Sequence, residues 1–95
     1  PILKAFIINN NKFNLITEDG ELLPVLNKNL VTRLPIISNL KKQDKKPVSI
    51  EDLTSAFKII DALKLIDENM YESLAEINLR NSGYILLMFS GFKFT

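Results

Sequence analysis

The chain contains neither cysteine nor histidine. Without cysteine there is no disulfide and no thiolate chemistry. Without histidine the usual zinc ligand sets and imidazole acid–base catalysis are excluded. Neither absence assigns a compartment, because extracytoplasmic domains can also lack cysteine. Glycine is scarce: Gly20, Gly83 and Gly91 are the three, all in turn contexts, so no glycine-rich phosphate cradle can be built. Arginine occurs only as Arg33 and Arg80. Twelve Lys+Arg stand against 11 Asp+Glu, a net charge of +1, which gives no long-range pull on nucleic acid or anionic lipid. No apolar run approaches the roughly 18–20 residues of a membrane-spanning helix. The longest, Ile85 to Phe89, is strand-sized, and no signal-peptide pattern is present.

What is present fits one domain, residues 1–95, with a hydrophobic fraction of 46% that is ordinary for a globular fold. A domain of this size is held by about 5–15 kcal/mol. The chain opens on Pro1 and stops at Thr95 straight after a strand-like run. The expectation is a piece of a larger protein, so a missing signal or anchor describes this segment and not its parent.

The N-terminal quarter reads as β. Leu3, Ala5 and Ile7 alternate with Ile2, Lys4, Phe6 and Ile8, making both faces largely apolar. Asn9, Asn10 and Asn11 tolerate left-handed turn geometry. Phe13, Leu15 and Thr17 then alternate with Asn14 and Ile16, and Glu18-Asp19-Gly20 supplies an Asp-Gly signal for a tight hairpin. Glu21 to Val25 reads as a third strand, with Pro24 placing it near an edge. The segment thus predicts a three-stranded meander. Leu26 to Leu40 is irregular except for Leu34 to Ile37, where Pro35 pushes Leu34 away from helix and predicts a short buried extended piece. Lys41 to Pro47 reads as a solvated loop.

Ser49 to Ile66 is the clearest helix. Ser49 and Asp52 make a capping-box-like start, with acids in the first turn where the helix dipole favours them. At 100° per residue, Ile50, Leu53, Ala56, Phe57, Ile59, Ile60, Leu63 and Ile66 fill about half the circumference. That stripe predicts packing on a sheet. Asp67-Glu68-Asn69 breaks the helix, and Asn69 with Glu72 predicts the cap of a short second helix running through Leu74. Ala75 to Arg80 returns to alternation, with Ala75, Ile77 and Leu79 inward. Asn81-Ser82-Gly83 is a turn signal. Tyr84 to Phe89 is uninterruptedly apolar, as expected of a strand buried on both faces, and after Ser90-Gly91 a last strand starts at Phe92. Together these elements predict an α+β fold. Its mixed or antiparallel β-sheet carries one long amphipathic helix and one short helix packed on one face.

No catalytic constellation emerges. Of the acids, Asp67 and Glu68 form the densest pair, at a helix end, where a solvated turn accounts for them. No serine has a histidine to activate it, and no Ser–Lys spacing stands out. Glu18-Asp19-Gly20 is only a faint suggestion of an oxygen-ligand cation site, and a hairpin explains it better. Lys41, Lys42, Lys45 and Lys46 lack the interleaved aromatics that single-strand nucleic-acid binding needs. A solvated loop is the simplest reading there, with contact to an acidic protein or an anionic membrane as the other. No catalytic residue, cofactor, metal or small-molecule substrate is therefore expected. Tyr84, Leu86, Met88, Phe92 and Phe94 carry more signal, because they put large apolar side chains on strands near the chain end. If exposed, such strands invite pairing with another chain by β-augmentation; the alternative is that they are core.

The order of these features resembles the extracytoplasmic β domain of the FtsQ/DivIB cell-division family. Phe13 to Pro24 is similar to that domain's opening, where a strand ends in an acidic-Gly turn and leads to a hydrophobic-Pro pair. Leu34-Pro35-Ile36-Ile37-Ser38 resembles its Leu-Pro segment, with Asn39 where glycine is more common. A helix of the Ala56 to Leu65 type, a strand like Ala75 to Leu79, and Gly83 to Met88 follow in the same order. The resemblance covers the β domain alone: the family's preceding polypeptide-transport-associated domain, and the helix and strands that follow the final hairpin, are not among these 95 residues. Ser90-Gly91 also replaces the usual acidic turn.

The resemblance implies a membrane-anchored parent with this domain on the extracytoplasmic, periplasmic face of the membrane at the division septum. It implies a non-enzymatic scaffold of the divisome that binds FtsB/DivIC- and FtsL-like proteins, with no nucleic-acid partner. A generic extracytoplasmic protein-binding domain unrelated to division is the alternative.

Overall fold

The computed structural model describes residues 2–9, 11–25, 33–41, 48–81 and 84–91. Eight elements follow in chain order: β1 (Leu3–Asn9), β2 (Lys12–Thr17), β3 (Leu22–Pro24), β4 (Ile36–Ser38), α1 (Ile50–Ile66), α2 (Glu68–Ser73), β5 (Leu74–Asn81) and β6 (Tyr84–Phe89). The strands form one sheet in the order β3-β2-β1-β4-β5-β6. β1, β4 and β5 are parallel to one another, while β2, β3 and β6 pair antiparallel to their neighbours. The sheet is mixed and the fold is α+β, as the sequence predicts.

The meander β1–β2–β3 forms as expected. Asn11 adopts φ 64° at the first turn. The second turn holds three residues: the Thr17 N–H donates to the Glu21 carbonyl across Glu18, Asp19 and Gly20, with Gly20 at φ 86°. A left-handed glycine closing a three-residue loop matches the strand twist, and any Cβ there would be strained. Pro24 ends the edge strand β3, where its missing N–H costs no ladder bond. β4 is the short Leu-Pro-led strand, with Pro35 fully buried beside it.

The crossover from β4 to the parallel β5 carries both helices. Ser49 caps α1 by accepting from the Asp52 N–H at 3.3 Å. The reciprocal half of a capping box is absent, because the Asp52 carboxylate accepts instead from the Lys41 N–H at 2.8 Å. The cap of α2 is Asp67, not Asn69: its Oδ1 accepts from the N–H groups of Asn69 and Met70. Asp67 prevails because its backbone is extended, φ −156° and ψ 100°, so it closes α1 and opens α2 in one residue.

The core lies between α1 and one face of the sheet. Ala5, Ile7, Ile16, Ile37 and Ile77 from the strands meet Leu53, Ala56 and Ile60 from α1. Each fully buried isoleucine contributes about 1.5–3 kcal/mol. The predicted helix stripe holds in the middle and fails at its ends, where Ile50 is 49% and Ile66 79% exposed. Both ends project past the core contributed by the sheet. A register shift between Leu74 and Glu76 turns Leu74 inward, so Leu74, Ile77 and Leu79 are buried while Ala75 is only half-buried.

A second irregularity, between Leu3 and Ala5, lets Lys4 share the helix side with Ala5. The Lys4 ammonium pairs with Asp61 and lies 5.5 Å from the centre of the Phe57 ring, so a lysine is buried without being isolated. The expected basic loop beyond Lys41, the Ser82-Gly83 part of the turn and the strand from Phe92 lie outside the described residues.

Candidate functional site

Among the described residues, β6 is the last strand of the sheet, opposite the proline-ended β3. Burial on both faces, expected from its uninterrupted apolar sequence, is not found: Tyr84, Ile85, Leu86 and Met88 are exposed, and Leu87 and Phe89 are half-buried. The continuous run reflects two different environments. Leu87 and Phe89 pack against the helix-side core. Tyr84, Leu86 and Met88, two residues apart, share the opposite face.

No helix among the described residues packs on that opposite face. Strand register assigns its members: Phe6 lies beside Leu15 and Ile36, Ile36 beside Glu76, Glu76 beside Met88, and Asn78 beside Leu86. None of these belongs to the helix-side core, although Leu15 is itself buried at 8% exposure. The rings of Phe6 and Phe13 meet at 5.2 Å, tilted by 53°. The Ser38 hydroxyl donates to Glu76 Oε2 at 2.7 Å, and the Asn39 amide donates to Asn78 Oδ1 at 2.7 Å. The result is an apolar surface on both sides of a short polar strip on β4 and β5.

Of the residues singled out from sequence, Tyr84, Leu86 and Met88 therefore stand together on this surface, with exposures of 62%, 41% and 37%. Phe92 and Phe94 lie outside the described residues. Sequence reasoning missed Phe6, Phe13, Ile36 and Glu76 as their companions. The alternation in β1 and β2 signals two apolar faces, but only the strand order brings them level with β6.

Elsewhere the surface offers less chemistry. A cleft of ≈ 500 Å³ between the β2–β3 turn and α1 is lined by Glu18, Asp19, Leu22, Ile50 and Phe57. No group of three acids that could hold a metal occurs among the described residues, and the Gly20 conformation is accounted for by the hairpin. A more polar cleft is bordered by Arg33, Glu72, Ser73 and Ser90, where the Ser73 hydroxyl bonds back to the Asn69 carbonyl of its own helix. Burial pushes the Tyr71 phenol above its ordinary value. Lys64 sits over the same ring at 4.8 Å. No described helix is long and apolar enough to cross a membrane.

Residues 5–93 match the family described as "Cell division protein FtsQ/DivIB, C-terminal", which is essentially the whole chain. No curated protein and no solved structure matches.

Proposed function

The chain belongs to the FtsQ/DivIB C-terminal family, which implies a role in cell division, and from that premise we propose that it is a non-enzymatic docking module of the divisome. It binds FtsB/DivIC- and FtsL-like division proteins on the extracytoplasmic side of the membrane, at the septum, as part of a membrane-anchored scaffold. The residues proposed to bind the partner are Tyr84, Leu86 and Met88, which the structure describes, together with Phe92 and Phe94, which lie outside the described residues.

The observation that carries this reading is the uncharged, exposed strand β6, which is last in the sheet among the described residues. Edge strands of soluble proteins are usually guarded by charge, proline or shortness. β3 is guarded by shortness and Pro24, whereas Tyr-Ile-Leu-Leu-Met-Phe holds neither charge nor proline. A partner segment laid along it would read the exposed alternate side chains Leu86 and Met88.

The test is binding of the parent ectodomain to FtsB/DivIC-like and FtsL-like ectodomains, with and without Leu86→Lys. Binding should weaken at least tenfold while the melting temperature stays within a few degrees. Failure of the unaltered ectodomain to bind either protein would sink the proposal. So would full affinity in the Leu86→Lys variant.

A further inference from the structure

We infer that the face of the sheet opposite the described helices seats an amphipathic helix from a protein partner, and that Glu76 is the counter-charge for an arginine or lysine in the middle of that helix's apolar stripe. The inference rests on the docking reading above, because Leu86 and Met88 belong to the same face.

The first argument is architectural. The three middle strands β1, β4 and β5 are mutually parallel. Parallel strands are found almost only where both faces of the sheet are covered. Here α1 and α2 sit in one crossover, and the core they cover takes only one side of each strand. The other side presents the Phe6–Phe13 pair, Ile36, Leu86 and Met88. A sheet face of this kind is most often completed by a helix.

The second argument is charge. Glu76 lies mid-face, level with Ile36 on one side and Met88 on the other, and is half-buried. Its carboxylate has one polar partner, the Ser38 hydroxyl, and among the described residues no cation pairs with it. An ionised carboxylate has about four acceptor sites, and a bidentate guanidinium fills them best. An apolar surface holding one under-used carboxylate therefore selects a partner that is apolar with one cation.

The same charge disfavours other occupants. A second copy stacked about a twofold axis through this strip would set Glu76 against its own mate. An anionic lipid surface would meet a carboxylate where it needs a cation.

The test titrates the ¹⁵N-labelled full chain with three synthetic helical peptides. They share one Leu/Ile stripe and differ only at its central residue: Arg, Gln or Glu. The Arg peptide should bind at least tenfold tighter than the Gln peptide and tighter still than the Glu peptide. Amide shifts should move at Phe6, Ile36, Glu76 and Met88. Glu76→Gln, which can still accept from Ser38, should abolish the preference without unfolding the chain. Equal affinity for the three peptides, or shifts confined to α1 and α2, overturns the inference.

The division-protein ectodomains separate this inference from the broader proposal. If they bind the Glu76→Gln parent as tightly as the unaltered one, the counter-charge is wrong and the docking reading stands. If the peptides discriminate through Glu76 while neither ectodomain binds, the face is a helix seat and the division partners are wrong.

Discussion

Replacing Asp61 with Asn should destabilise the domain only while Lys4 remains a lysine. Lys4 is 6% exposed, and its ammonium reaches Asp61 at the edge of α1 beside the Phe57 ring. Two unit charges about 4 Å apart attract by roughly 4 kcal/mol at an effective dielectric near 20. The Asp61 side chain is 62% exposed, however, and solvent screening reduces such a pair to about 1 kcal/mol. Asp61→Asn also leaves a buried ammonium with only a neutral acceptor and a ring face, so a total loss of about 1–2 kcal/mol is expected.

Lys4→Met keeps the aliphatic stem and removes the charge whose desolvation burial requires. It should stay within about 1 kcal/mol of the unaltered chain. In the Lys4→Met background, Asp61→Asn should then cost almost nothing. Urea unfolding followed by circular dichroism measures all four species, and a 1 kcal/mol change corresponds to about 4–8 °C in Tm for a domain this small. If Asp61→Asn costs the same with and without Lys4, the two residues are not coupled and the reasoning is refuted.

Two further predictions concern the core and pH. Ile77 is fully buried at the centre of β5 between Ile37 and Leu87, so Ile77→Ala should cost about 3–4 kcal/mol by equilibrium unfolding. Burial raises the Tyr71 pKa, so the folded chain holds the phenolic proton more tightly than the unfolded chain does. That contribution is fully present below the unfolded value near 10 and is lost as pH rises through the raised folded value. Tm of the unaltered chain should fall more steeply above about pH 10 than that of Tyr71→Phe; parallel curves would contradict the assignment.

Much of the fold was legible because its signals are local. The Gly20 turn, the Ser49 cap and the Pro24 stop each act over a few residues, and each is where the sequence places it. The shift from Asn69 to Asp67 as the cap of α2 is a local competition that propensity alone cannot rank. Only a residue already extended at the end of α1 can also cap α2. The burial of Lys4 was not legible, since a lysine among alternating apolar residues looks like an outward position. The irregularity at Leu3 and Ala5, together with Asp61 some 57 residues away, turns it inward.

The candidate site divides the same way. The sequence by itself determined that this chain has no thiol, no imidazole and no phosphate cradle. It also determined that apolar side chains crowd the run from Tyr84 to Phe89, and the ordered motifs point to a division family. Whether that run was core or surface depended on strand order, because burial is a property of neighbours and not of a residue. The tertiary structure placed β6 last among the described strands of the sheet and lined up Leu86 and Met88 with Asn78 and Glu76. It also gathered both described helices onto the other face. Strands distant in sequence became adjacent only through the crossover that carries α1 and α2. That long-range pairing set Glu76 within an apolar surface.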